Sequence, residues 1–257
     1  MALGIRAARE TARKSGRQLL VLPGDDEADL LQAFDLAARG VLDGLILFPT
    51  TKLVEQRALK VSESGRTVVA TNLPRRTRLP VVELDLRSVG RLAASHLWSL
   101  GHRSVMTAGP SSGGEDARFS SFVAEWTRLG GTVTPHLTGR GTAEDGLRAG
   151  RAVAAEVGRR GVTAVFAFTD DFAVGVIAGL ADAGLDVPGD VSVIGCDNAP
   201  LGQFLRPALT TIDPDNAGLM DQAVRLVVEL LDGGPTRRRR HKIAATLTVR
   251  DSTRPVC

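Results

Sequence analysis

The chain has 257 residues, 43% hydrophobic and 24% charged, with a net charge of +3, the composition of an ordinary globular protein with room for one large or two smaller cores. No apolar run approaches the length of a membrane span, and the basic segment 1–18 lacks the apolar core and small-residue cleavage site of a secretory signal. Two cysteines, Cys196 and Cys257, exclude a disulfide framework and fit a reducing cytoplasm.

Met1, Ile5, Ala8 and Ala12 share one face of a predicted helix over residues 1–15, which Gly16 ends. Gln18–Leu22 reads as a strand, and Pro23-Gly24-Asp25 turns the chain. Leu30, Phe34 and Ala37 mark a helix closing near Gly40, and Gly44–Phe48 is a buried strand. A helix over Leu53–Ser64, a strand at Thr67–Ala70 and a loop from Pro74 to Pro80 follow. Val81–Leu84 is the next strand, and Val89, Leu92, His96 and Leu100 outline the helix beyond it. Then come a strand at Ser104–Ala108, a glycine-rich loop at Gly109–Gly114 and a helix at Glu115–Leu129. A proline-broken strand near Thr132–Leu137 and a helix over Ala143–Gly158 lead to the central unit.

That unit opens with the apolar run Ala164–Phe168, followed by Asp170 and Asp171, which suit a helix N-terminus. Phe172, Val176 and Leu180 recur at helical spacing, with Gly184 as the stop and Pro188 preventing continuation. A strand at Val191–Ile194 ends in Gly195-Cys196-Asp197-Asn198, placing polar groups beyond the carboxyl ends of two strands, where open α/β sheets hold ligands. Leu209–Ile212 is a strand, Asn216–Leu231 a long helix and Ile243–Val249 a closing strand. Strand and helix alternate throughout, so the fold class is α/β with parallel sheets.

Arg237–Arg240 beside Lys242 supplies much of the positive charge; it reads as a solvated loop or as a contact for phosphate or acidic lipid. Gly109-Pro110-Ser111-Ser112-Gly113 fits G-x-S-x-G after a strand, the outline of a serine nucleophile elbow. His136 abuts a proline-containing strand and His241 lies beside the arginine run, so neither is well placed as its base. No metal-ligand spacing, phosphate-binding loop or dinucleotide fingerprint is present, and neither catalysis nor a cofactor is expected. Trp98 and Trp126 fall at helical positions suited to a core or an interface.

Five segments occur in order across nearly the whole chain: DGLILFPT at Asp43–Thr50, HLWSLGHRSVMTAGP at His96–Pro110, VPGDVSVIGCDN at residues 187–198, PALTTI at Pro207–Ile212 and VRDST at Val249–Thr253. Together they resemble the effector-binding core of the lactose-repressor (LacI/GalR) family of bacterial transcriptional regulators. The resemblance implies a type I periplasmic-binding-protein-like fold, in which two Rossmann-like lobes with parallel sheets flank a ligand cleft. The chain would cross between lobes near Leu84–Asp85, Ile212–Asp213 and Lys242–Ile243. One lobe would comprise residues 1–84 and 213–242, the other 85–212 and 243–257. Family members begin with a helix-turn-helix headpiece, a hinge helix and a first strand, whereas this chain starts in the helix after that strand. The expectation is a shortened chain or a misassigned start rather than a naturally headless regulator.

Site residues follow from the same resemblance. Asp197 stands where an acidic side chain accepts hydrogen bonds from the effector; read alone, Asp197-Asn198 also suits a turn. Arg118 matches the arginine of A-R-x-x-G-F, with Ser121 in place of the glycine, and its fork would fix a hydroxyl pair or a carboxylate unless it is simply an exposed helix residue. Thr169 and Asp170 occupy the usual Asn-Asp, where Asp170 is expected to cap the helix rather than touch ligand. Phe204 is a candidate ring for stacking on a sugar or packing under a loop, and Phe168 and Thr50 are weaker candidates. Asp85 opens D-N-x-x-G, but Leu86 and Val89 depart from that pattern, leaving a crossover role. The implied partners are a small polar effector such as a sugar, a second copy of the chain, and operator DNA through the headpiece, with no membrane. The rival reading is a solute-binding protein of the same fold that feeds a transporter.

Overall fold

The computed structural model describes residues 2–22, 27–48, 52–73, 77–109, 116–133, 137–234 and 240–256. The chain divides into two units, Met1–Leu84 with Asp215–Ile243, and Asp85–Pro214 with Ala244–Cys257.

The first unit contains α1 (Ala2–Lys14), α2 (Glu27–Ala38), β1 (Gly44–Leu47), α3 (Lys52–Glu63), β2 (Thr67–Thr71) and β3 (Val81–Leu84), joined by the returning α8 (Asn216–Leu231) and β10 (Arg240–Ile243). Its sheet runs β1-β2-β3-β10 with every pair parallel. Successive strand residues face opposite layers. Val68 and Ala70 pack with Phe34, Ala37, Val54 and Ala58 of α2 and α3, whereas Val69 packs with Leu219, Ala223 and Leu226 of α8. Asp215 fixes the start of α8 by accepting the Gly218 N–H at 2.8 Å.

The predicted strand Gln18–Leu22 does not form. Leu20 and Val21 are 59% and 50% exposed, and no described strand pairs with this segment. A strand is held by its neighbours' peptide groups, so apolar composition without a partner leaves irregular backbone.

The second unit contains α4 (Leu86–Ser99), β4 (Ser104–Gly109), α5 (Ala117–Leu129), β5 (Thr132–Val133), β6 (Leu137–Thr138), α6 (Ala143–Arg160), β7 (Ala164–Ala167), α7 (Asp170–Asp182), β8 (Ser192–Cys196), a 3-10 turn at Pro200–Phe204, β9 (Thr210–Asp213) and β11 (Thr246–Thr248). The sheet order is β11-β9-β8-β7-β4-β5, with β6 also against β4. All pairs are parallel except β11 with β9. Ala164 and Phe166 of β7 face Phe122 and Trp126 on the α4–α5 side. Val165 and Ala167 face Phe172, Val176 and Leu180 on the α6–α7 side. Trp126 is fully buried and donates its indole N–H to the Thr132 carbonyl at 3.1 Å.

The single strand expected at Ile243–Val249 is two. β10 ends at Ile243 beside β3, and β11 pairs with β9 in the other sheet. The unit boundary falls between Ile243 and Ala244, so one extended stretch serves two sheets. Arg240, expected in a solvated loop, instead opens β10, where its guanidinium meets the Glu83 carboxylate and the Leu73 carbonyl.

Both helix pairs of the second unit meet through glycine. A Cβ on Gly146 or Gly150 of α6 would stand 2.2 and 2.3 Å from the carbonyl oxygens of Phe172 and Val176. On α7, one at Gly175 would lie 2.0 Å from the Ala143 carbonyl oxygen. Only hydrogen at these positions lets the two backbones approach so closely. A Cβ on Gly90 of α4 would likewise fall 2.1 Å from the Arg118 carbonyl oxygen, so this glycine lets the first turn of α5 seat closely.

Candidate functional site

The chain leaves β4 toward β5 at one edge of the second sheet, and leaves β7 toward β8 and β9 in the opposite direction. The helices that follow, α5 and α7, cover opposite faces. This reversal marks the carboxyl ends of β4 and β7 as the place where open α/β sheets bind ligands. Arg118 follows β4, Thr169 follows β7 and Asp197 follows β8, so the topology brings three of the sequence candidates to one edge.

Asp116 starts α5 by accepting the Arg118 N–H at 2.8 Å. The same carboxylate holds the Arg118 side chain, with Nη2 at 2.6 Å from Oδ2 and Nε at 3.1 and 3.2 Å from the two oxygens. Nη1 donates to the Phe168 carbonyl at 2.8 Å. Burial opposes both charges. The carboxylate overcomes that penalty for Arg118 and holds the guanidinium more firmly protonated, while Arg118 draws Asp116 below the usual carboxylate range. Ser121 places its hydroxyl on the carbonyls of Ala117 and Arg118, at 2.6 and 3.1 Å, and so reinforces this first turn.

Asp197 has a φ of 112° and Asn198 a φ of 49°, backbone that L-residues adopt at a cost. The turn is held from several sides. The Asp197 N–H donates to the Ile212 carbonyl at 2.9 Å, and the Asn198 N–H to the Thr211 hydroxyl at 3.3 Å. The Asn198 amide donates to Asp213 at 3.0 Å and accepts from Arg250 at 2.8 Å. Solvent reaches the Asp197 side chain, yet the surrounding protein desolvates its carboxyl and raises the pKa to about 6, with Arg118 opposing the shift. Because the group stays in contact with water, that shift carries little stability; its meaning is an ionised acceptor at neutral pH that remains open to a ligand. Between the two lies the Cys196 sulfur, 4.0 Å from Asp197 Oδ1, its thiol kept protonated by burial.

Asp170 does not cap α7. Thr169 does, accepting the Phe172 N–H at 3.2 Å, and its hydroxyl also donates to the Gly141 carbonyl at 3.3 Å. Both roles of the Thr169 hydroxyl are therefore filled locally. Thr169→Ala should cost about 1 kcal/mol in urea unfolding, the scale of a lost N-cap. Asp170 is 2% exposed and points into the unit, where it accepts the Thr211 hydroxyl at 2.7 Å and the Ala199 N–H at 2.6 Å. Desolvation raises its pKa to about 6 from 3.8, against the pull of those two bonds and Arg250. A raised carboxylate pKa means that the folded state holds a proton that the unfolded chain has already released. The stabilisation is complete below about pH 4 and is lost as the pH rises through about 6. Melting temperatures of the wild type minus those of Asp170→Asn should therefore fall between pH 4 and 6.5.

Phe168 presents no surface at this edge. Its ring is fully buried, 5.2 Å from Phe166 and 6.0 Å from Phe119, and only its carbonyl serves Arg118. A Cβ on Gly109 would fall 2.7 Å from this ring, so that glycine has a packing reason of its own. Phe204 is 69% exposed at the end of the 3-10 turn. Asp85 caps α4 by accepting the Ser88 N–H at 3.2 Å. Thr50 lies outside the described residues, as do His136 and the elbow residues 110–113; His241 lies in β10 of the first unit. Asp116 and Arg250 were not anticipated as part of this edge. Their only sequence signals are an aspartate two residues before Arg118 and a basic residue within the closing VRDST. Among the described residues, no cluster of three His, Cys, Asp or Glu could hold a metal, and no helix is long and apolar enough to cross a membrane.

Comparison with known proteins gives a consistent result. Residues 94–253 match the periplasmic binding protein-like domain family. The HTH-type transcriptional regulator MalR of Streptomyces coelicolor is 32% identical over 199 residues, which cover 72% of this chain and 55% of that protein. The chain thus spans about half the length of this relative. An HTH-type transcriptional regulator from the aml 5' region of Streptomyces limosus is 31% identical over 249 residues, 90% of this chain and 68% of its own length. The fold is shared with a LacI family transcriptional regulator of Enterococcus faecium solved with bound ribose, at a TM-score of 0.83 and 23% identity, over 100% of this chain and 94% of that one. The chain belongs to the periplasmic binding protein-like domain family, in the form carried by HTH-type transcriptional regulators.

Proposed function

We propose that this chain is the effector-binding and dimerisation part of a cytoplasmic transcriptional regulator, and that its effector is a small polar molecule such as a sugar. The observation that carries the reading is the convergence of Arg118 and Asp197 on the carboxyl edge of the second sheet, one a charged donor fork and the other an open acceptor. A polyhydroxylated ligand presents both kinds of partner within one small ring. Bound ribose in the structurally similar Enterococcus faecium regulator supports that class.

Regulation then follows from differential affinity. An effector that binds one conformation of the protein more tightly shifts the population toward it, and one that binds both equally changes nothing. In a two-fold dimer carrying DNA-binding segments outside this sequence, such a shift changes the fit to a palindromic operator.

A thermal-shift screen of this chain against pentoses, hexoses, disaccharides, polyols and nucleosides tests the reading. Saturable stabilisation by one member is expected, because a ligand that binds only the folded state raises its stability by mass action. Hydrolysis of a generic ester that vanishes in Ser111→Ala would overturn the regulator reading in favour of an enzyme.

A further inference from the structure

We infer that Asp116 sets the ligand's charge: by occupying the guanidinium of Arg118, it makes this edge select a neutral, hydroxyl-bearing molecule over its phosphorylated or carboxylated counterpart. The inference rests on the reading of the Arg118–Asp197 edge as a ligand site and narrows what that site accepts.

Arginine binds anions best through two parallel N–H groups that match the spacing of two anionic oxygens. Here that geometry is already used. Nε and Nη2 both point at the Asp116 carboxylate, and Nη1 is drawn to the Phe168 carbonyl. With Nη1 also committed, each terminal nitrogen keeps one N–H, enough to meet single hydroxyl oxygens. The side chain is only 17% exposed and its partner 16%, so the pair is held by its surroundings and is not a loose surface contact. Asp116 is anchored in turn by capping α5, and the α5 first turn is seated against Gly90.

Local charge acts in the same direction. The groups that influence one another along this edge are the carboxylates of Asp116, Asp170, Asp171 and Asp197 and the guanidiniums of Arg118 and Arg250. With all ionised, the carboxylates exceed the guanidiniums by two. An anionic ligand would meet repulsion from Asp197 without the unpaired arginine needed to offset it. A neutral sugar donates hydroxyl protons to Asp197 and accepts from the spare Arg118 N–H, leaving the Asp116 pair intact.

Asp116→Asn separates the charge from the cap, because asparagine caps a helix as well as aspartate does. Asp116→Ser is the second variant, with a capping hydroxyl too short to reach the guanidinium. The probe is inorganic phosphate, titrated at neutral pH and followed by calorimetry and by the Arg118 Nε–Hε resonance. The wild type should show no saturable phosphate binding that depends on Arg118. Both variants should show saturable phosphate binding, at least about tenfold stronger than any wild-type response and abolished by adding Arg118→Met. Melting curves verify that each variant is folded. Arg118-dependent phosphate binding by the wild type, or no gain in either folded variant, would overturn the inference. A parallel titration with neutral sugars distinguishes the two readings: phosphate gain without any neutral ligand would retain the charge filter and remove the sugar-sensing function.

Discussion

Gly175→Ala should destabilise the second unit by about 3 kcal/mol, the upper part of the range for overpacking a closed contact. The added methyl would sit 2.0 Å from the Ala143 carbonyl oxygen and 2.6 Å from the Leu147 nitrogen, both backbone atoms of α6. Backbone cannot rotate aside as a flexible side chain can, so α6 and α7 would have to separate. Their separation would loosen Phe172, Val176 and Val153 from the sheet. Gly158, on the same α6 helix, meets nothing within 4 Å. Gly158→Ala should therefore raise stability, by about 0.5–1 kcal/mol, through helix propensity alone. Urea unfolding followed by tryptophan fluorescence reads the right part of the molecule, because Trp98 and Trp126 both lie in the second unit. Equal effects of the two substitutions would contradict the close-packed seam.

Removing one member of the candidate ligand pair should weaken effector binding strongly while leaving the fold intact. Asp197→Asn and Arg118→Ala should each cost about 1–3 kcal/mol, or roughly tenfold to a hundredfold in affinity, the scale of a buried hydrogen-bonding group deprived of its partner. The two substitutions act differently. Asparagine retains the shape of Asp197 and loses the charge, and its backbone tolerates the positive φ that Asp197 adopts. Alanine at Arg118 leaves Asp116 half-buried without its partner, so the loss of affinity will be accompanied by some loss of stability. Titration of each variant with the effector found for the wild type, alongside its melting curve, separates the two effects. Unchanged affinity in both folded variants would remove them from the site.

Most elements were legible because their signals are local. Helix α7 follows from the spacing of Phe172, Val176 and Leu180 with Gly184 beyond them, and β7 from a short apolar run ended by polar residues. Long-range pairing was not legible. Gln18–Leu22 has the composition of a strand but no neighbour, and the stretch from Ile243 to Val249 is divided between two sheets that local sequence cannot distinguish. The site shows the same divide. Motif resemblance brought Arg118 and Asp197 forward, but side-chain direction decided the rest: Phe168 turns into the core, Asp170 turns beneath the edge, and Thr169 takes the capping role. The Asp116–Arg118 pair depends on the capped first turn of α5, which a D-x-R spacing alone does not specify.

The most direct test of the account is to map the effector onto the chain by amide chemical-shift titration, using the compound that gives saturable thermal stabilisation. The account predicts saturable shifts concentrated at Arg118, Thr169 and Asp197–Ala199, with the Arg118 Nε–Hε signal among the most perturbed. Saturable shifts elsewhere in the second unit, with these residues unmoved, would contradict it.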